Sequence, residues 1–248
     1  KVLLAAGART DIKDKHNDLA RDLAEEKGEK ELALLIRDSA PGSALPTAPT
    51  GTLDKAGQQK RAEELFVYLG TLKDNDRDLI EKAYKEILEK CPESDKIPEA
   101  LWRLSNLYLH GFDKPAFDQC ALALETLNIK YPQFMIIDPL TNRKEALTPV
   151  QKRLTYCYEK LGAWEKAANL YRPAFVKLES MESGEFLAYG VLFGEALEKS
   201  GKKDEAISVF EKALKFSQEK ASQLAGDDIV GLNVRLCKDA LARLKPAK

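Results

Sequence analysis

Positions Leu154, Tyr158, Gly162, Ala167, Tyr171 and Ala174 are answered 39 residues later by Phe193, Leu197, Gly201, Ala206, Phe210 and Ala213. Within each set the apolar positions step by three to five residues, the period of one helix face rather than the alternation of a strand. The glycine stands between two such faces, so each set describes a pair of helices joined at Gly162 or Gly201. A glycine there ends the first helix in a left-handed conformation at low cost. A helix pair repeated at fixed spacing cannot bury its apolar face alone and does so by stacking on its neighbours. The constraint selects an all-α fold, a helix-turn-helix repeat solenoid.

These positions resemble the tetratricopeptide repeat, a helix pair of about 34 residues. The resemblance implies that Ala167 and Ala206 are close-contact positions between helices A and B, with the large residues filling the gaps between repeats. Two earlier units fit more loosely: Leu101, Leu104, Tyr108, Cys120, Leu124, Leu127 and Pro132, and before them Ile80, Tyr84, Ile87 and Pro92. Each proline stops a helix. The later of the two has a turn lengthened around Gly111 to Pro115, and an irregular segment from Gln133 to Pro149 follows it. From Asp228 to Leu244, residues Ile229, Leu232, Leu236, Ala240 and Leu244 fall at helical spacing, which predicts a helix that caps the stack.

The opening residues 1–37 carry a different pattern: Leu3-Leu4-Ala5-Ala6-Gly7-Ala8, then Asp11-Ile12-Lys13-Asp14, then Asp22-Leu23-Ala24 and Gly28. They resemble about one ankyrin repeat, in the degenerate form of a C-terminal cap, with Leu19-Ala20-Arg21-Asp22 where the family has Thr-Pro-Leu-His. Since ankyrin units need about three neighbours to bury a continuous core, the resemblance implies further repeats upstream of Lys1, or docking on the next domain. Residues 38–55, with Pro41, Pro46, Pro49, Gly42 and Gly51 and no helical period, read as a semi-stiff linker that holds the two parts apart. The tetratricopeptide-like domain then spans 56–248, with its capping helix at 228–244.

Composition narrows the function. The 39 basic and 40 acidic residues leave a net charge of -1, so no global field draws the chain to nucleic acid or an anionic surface. The basic clusters Lys60-Arg61, Arg143-Lys144 and Lys202-Lys203 have carboxylates nearby, and the aromatics occupy core positions. Nucleic-acid binding is not expected. No apolar run reaches the roughly 20 residues that span a bilayer, so no membrane insertion is expected and the chain reads as soluble, cytoplasmic or periplasmic. Cys91, Cys120, Cys157 and Cys237 are widely spaced and read as small buried residues rather than a metal site. His16 and His110 are isolated, the charged pairs Glu63-Glu64, Glu81-Lys82 and Asp204-Glu205 fit solvated helix faces, and no Gly-rich phosphate loop occurs. No catalytic set and no cofactor are expected.

What remains is a scaffold or adaptor, not an enzyme, that binds a peptide or helix of another protein in a concave groove, with the ankyrin-like end engaging a second protein. The repeat resemblance places the groove on the A helices, at Trp102, Asn106, Leu109, Lys152, Tyr156, Glu159, Val191 and Glu195. Some members of the family hold a C-terminal carboxylate in a clamp of lysine, arginine and asparagine. Asn106 and Lys152 are similar to it, but Val191 and Glu195 interrupt it, and a ligand of mixed apolar and polar character is expected instead. Two repeat types on one chain resemble bacterial proteins, and Tyr131-Pro132 resembles repeats of cell-envelope assembly factors. A periplasmic component of that kind is one alternative; the substrate-recruiting region of an enzyme whose catalytic domain lies outside residues 1–248 is another.

Overall fold

The computed structural model describes residues 23–24, 26–29, 45–46, 51–134, 146–180, 185–220 and 228–245. All regular structure among them is helical: α1 (Lys55–Leu69), α2 (Arg77–Lys90), α3 (Ile97–Asn106) continued by a π turn (Leu107–Gly111), α4 (Phe117–Lys130), α5 (Pro149–Lys160), α6 (Trp164–Ser180), α7 (Phe186–Lys199), α8 (Lys203–Glu219) and α9 (Asp228–Leu244). Consecutive helices pack on one another within two compact units, Lys1–Asp113 and Lys114–Lys248. The fold class is the all-α helical repeat that the 39-residue spacing demands. The division falls at Asp113, inside the lengthened turn from Gly111 to Pro115. Most of the ankyrin-like segment 1–37 lies outside the described residues, as does most of 38–50 and of 135–145.

In the first unit α1 and α2 form a hairpin, and α3 packs on α2. Ala62, Leu65, Ala83, Ile87, Cys91 and Ala100 are fully buried between them. Pro98 in the first turn of α3 has no N–H to leave unpaired there.

In the second unit the start of α5 is fixed by a capping box. The Thr148 hydroxyl accepts from Gln151 N at 3.2 Å while Gln151 Oε1 accepts from Thr148 N at 3.0 Å. The turns after α5 and α7 are the same structure built twice. Gly162 has φ 69° and Gly201 φ 82°. Ala163 N donates to Tyr158 O at 2.8 Å and Gly162 N to Glu159 O at 3.2 Å; Lys202 N and Gly201 N repeat the pattern on Leu197 O and Glu198 O at 2.9 and 3.0 Å. Both are Schellman closures, and a side chain at a positive φ is strained even though the space around Gly201 is open. Gly201→Ala is expected to lower the stability of the second unit by about 1 kcal/mol, read as a shift in its urea midpoint; an unchanged midpoint would remove the left-handed turn as a determinant.

Ala167 and Ala206 are both fully buried, as the repeat positions require. The closest approach is at α7, where a Cβ on Gly190 would lie 2.6 Å from Ala213 Cβ, and one on Gly194 would lie 2.5 Å from the Phe210 ring. Phe175 stacks on Phe186 at 4.3 Å, and Phe186 meets Phe216 at 4.8 Å, so aromatic rings fill the space between α6, α7 and α8.

The face expected of α9 is covered only in part, at Ala240 and Leu244. Ile229, Leu232 and Leu236 are 68 %, 50 % and 37 % exposed, while Cys237, Ala240 and Leu244 are buried. Two apolar stripes interleave along this helix, and the inner one, with Cys237 and Ala240, has the smaller residues that let it lie close to α7 and α8.

Ion pairs join successive helix pairs: Lys166 to Glu125 at 2.7 Å, Lys202 to Glu165 at 2.8 Å, Arg172 to Glu205 at 2.7 Å and Arg243 to Glu198 at 2.7 Å. The bond from Lys166, reinforced by the Tyr158 hydroxyl, holds the Glu125 carboxyl below its usual range, against the opposing effect of burial. Arg243 does the same for Glu198. A carboxyl depressed in the folded state contributes stability above its unfolded pKa of about 4.3 and loses it as pH falls through the lower folded value. The second unit is therefore expected to be less stable at pH 3 than at pH 7 in urea unfolding, and Glu125→Gln is expected to flatten part of that dependence. An equally steep profile in Glu125→Gln would assign the acid sensitivity elsewhere.

Candidate partner-binding site

A half-open cavity of about 580 Å³ lies within the first unit, between α2 and α3. Asp74 comes from the turn before α2 and Arg77 from its start, and Ile80 and Tyr84 from the next turns of the helix. Trp102, Arg103 and Asn106 come from α3, and Leu107, His110 and Gly111 from the π turn. The π turn sets which residues arrive. In it each turn takes more than the α-helical 3.6 residues, which carries the Trp102–Asn106 face on to His110 and Gly111 and leaves Leu109 outside the lining. A Cβ on Gly111 would run into Leu107 Cδ1, so glycine lets the turn close against that side chain.

The walls differ in how firmly they are held. The Arg103 guanidinium donates from Nη2 and Nε to Glu99 Oε1 at 2.7 and 2.9 Å, and lies 5.8 Å from the Phe66 ring centroid. Phe66 in turn meets Tyr84 edge-on at 6.1 Å. Burial raises the pKa of the Tyr84 hydroxyl, against the pull of Arg103 beside it. Arg77 is looser, 3.5 Å from the fully exposed Asp113 carboxylate. Asn106 and His110 are exposed at the mouth. The cavity thus combines an apolar floor of Ile80, Leu107 and the half-buried Trp102 with a rim of donors and one carboxylate, Asp74. That arrangement suits holding a side chain and its flanking backbone.

The eight expected groove residues are distributed over both units. Trp102, Asn106 and Leu109 belong to the first unit, and Lys152, Tyr156, Glu159, Val191 and Glu195 to the second. Trp102 and Asn106 line the cavity together. On α5, Lys152 is exposed, and Tyr156 is 43 % exposed, edge-on to Phe117 at 5.8 Å with Lys160 Nζ 5.3 Å from its ring. Glu159 is half-buried and accepts from the Tyr171 hydroxyl at 2.7 Å, so its carboxylate is engaged inside the repeat. Val191 is 5 % exposed and serves the core of the second unit, because Gly190 and Gly194 draw α7 close against α8. Glu195 is half-buried.

Arg77, Tyr84, Arg103 and His110 were not among the expected site residues. Tyr84 reads in sequence as a core position and His110 as an isolated surface or loop residue, and nothing in residues 107–111 announces a π turn.

Cys120 and Cys157 are fully buried on α4 and α5, with their thiols hydrogen-bonded to each other. Cys91 and Cys237 are buried too. Among the described residues no helix is long and apolar enough to cross a membrane.

No protein-family model matches the sequence, and no curated protein matches it. Among solved structures the chain is similar to one described as the crystal structure of MamA protein, at 19 % identity over 82 % of this chain and 90 % of that one, with a TM-score of 0.35.

Proposed function

We propose that the chain is a non-enzymatic protein-interaction scaffold, and that the cavity between α2 and α3 receives a side chain of a bound peptide or helix. The observation that carries this reading is the half-buried indole of Trp102 beside Asn106, in a preformed cavity with an apolar floor and a polar rim. An aromatic held in such a place anchors an interface at small entropic cost, and an amide offers both a donor and an acceptor to a passing backbone. The repeat architecture supports the same reading, since stacked helix pairs offer extended surfaces to other polypeptides. The ankyrin-like residues 1–37 supply a second attachment point in this proposal, and Lys152 and Tyr156 on α5 a second contact surface. The ligand has mixed apolar and polar character.

Photo-crosslinking from a reactive amino acid placed at Asn106, followed by mass spectrometry, tests the proposal. A small set of proteins crosslinked at Asn106 and lost in Trp102→Ala supports it. Crosslinks that persist unchanged in a folded Trp102→Ala chain refute the cavity as the site.

A further inference from the structure

The seam between α4 and α5 carries two thiols that face each other. Cys120 on α4 and Cys157 on α5 are both fully buried, and the Cys120 thiol donates a hydrogen bond to the Cys157 sulfur. Packing alone does not ask for sulfur at either place. Cys120 stands at the small-residue position that Ala167 and Ala206 fill in the later repeats, and Ala196 stands 39 residues after Cys157. All three alanines are buried. A methyl group therefore satisfies these positions elsewhere in the stack, while thiols occupy both sides of this one seam.

The seam is pinned around the pair. Phe117 of α4 meets Tyr156 of α5 edge-on at 5.8 Å, and Glu125 of α4 accepts from the Tyr158 hydroxyl at 2.8 Å. These contacts hold the two sulfurs in register while α4 and α5 stay packed. Electrostatics separates the pair from the other cysteines. The hydrogen bond from Cys120 lowers the pKa of the Cys157 thiol against the effect of burial, and the half-buried Arg153 guanidinium, one turn earlier on α5, adds to it. The same bond raises Cys120. Burial raises Cys91 and pushes Cys237 up to about 12. A thiol with more thiolate character reacts first with an oxidant, and a second thiol in contact with it resolves the product.

We propose that Cys120 and Cys157 are a reversible redox pair, which hydrogen peroxide closes into a disulfide that staples α4 to α5. The Cys157 thiolate attacks one oxygen of the peroxide, the O–O bond breaks, and the departing hydroxide takes the proton that Cys157 gave up and leaves as water. Cys157 is then a sulfenic acid. The Cys120 sulfur attacks the sulfenic sulfur, the S–S bond forms, and the sulfenic hydroxyl leaves with the Cys120 proton as a second water. Two electrons pass from the thiols to the peroxide, and a dithiol such as dithiothreitol returns them by exchange. Peroxide is close to water in size and reaches the pair during local openings of the seam. Closure ties α5, and with it the exposed Tyr156 ring beside Cys157, covalently to α4. The pair is independent of the Trp102 cavity.

The proposal is tested by treating the folded, reduced chain with hydrogen peroxide, alkylating the remaining thiols in denaturant and mapping the peptides by mass spectrometry. A disulfide joining Cys120 to Cys157 is expected to form at least about tenfold faster than Cys91 or Cys237 is oxidised. The urea midpoint of the second unit is expected to rise with it, because a cross-link restricts the unfolded chain, and dithiothreitol is expected to reverse both changes. In Cys120→Ser the sulfenic acid on Cys157 has no thiol to resolve it and is expected to be trapped by dimedone. Thiols that all stay alkylatable in the folded chain, at a peroxide exposure that oxidises the chain in urea, would overturn the proposal and leave the pair as packing. Oxidation of Cys91 or Cys237 as fast as the pair would overturn it equally, as would a disulfide that leaves the urea midpoint where it was.

Discussion

Phe210→Ala lowers the stability of the second unit by about 3–5 kcal/mol. The Phe210 side chain is fully buried, and its ring lies where a Cβ on Gly194 would approach to 2.5 Å. Removing it takes away the apolar surface that α8 lays across the glycine face of α7, and the gap cannot be closed by a neighbouring side chain because Gly190 and Gly194 have none to offer. The backbone would have to move instead. A partly relaxed cavity is the costly outcome for a large-to-small change. Urea unfolding followed by circular dichroism, with Trp164 fluorescence as a reporter on α6, measures the effect. A loss under about 1 kcal/mol would mean that α7 and α8 collapse onto each other freely and that the glycine face does not set their spacing.

The second large effect is on binding. Trp102→Ala is expected to weaken capture of the partner by about thirtyfold, the equivalent of about 2 kcal/mol, with a smaller loss in Asn106→Ala. The indole is part of the apolar floor of the cavity between α2 and α3, so its removal opens that floor to water and leaves Asn106 and His110 on the rim of a site with less apolar surface. Because Trp102 is half-buried, the measurement pairs affinity by calorimetry or surface capture with an unfolding midpoint for the same variant. Tyr156→Ala, on α5 of the second unit, separates the alternatives. If it abolishes binding while Trp102→Ala does not, the partner is read by α5 and the cavity on α2 and α3 is not the anchor.

Among the candidate site residues, Trp102 and Asn106 are legible in sequence because they stand one helical turn apart on the solvent side of a repeat. Leu109 is not, since the π turn shifts the face by a residue, and π turns have no sequence signal comparable to a glycine cap. Val191 illustrates a different failure. At the spacing of the repeat it neighbours core positions on a surface face, yet Gly190 and Gly194 pull α7 inward until Val191 is covered. On α9 the larger residues Ile229, Leu232 and Leu236 draw attention, while burial goes to Cys237 and Ala240, which are small enough for close approach. Arg61 reads as one half of an ordinary surface basic pair with Lys60, and only the packing of α1 on α2 turns it inward to Glu86 and Pro46.

The sequence by itself determined what local chemistry controls: an all-α chain, the helix pairs at 39-residue spacing, and their left-handed closures at Gly162 and Gly201. Those features depend on the backbone preferences of a few adjacent residues, which spacing reports faithfully. The tertiary structure decided which apolar residues of α9 are covered, where a wall gains arginines from a neighbouring helix, and that Arg61 turns inward to Glu86 and Pro46. Each of these depends on the distance between helices, set by side chains far apart in sequence, and no local pattern contains that distance.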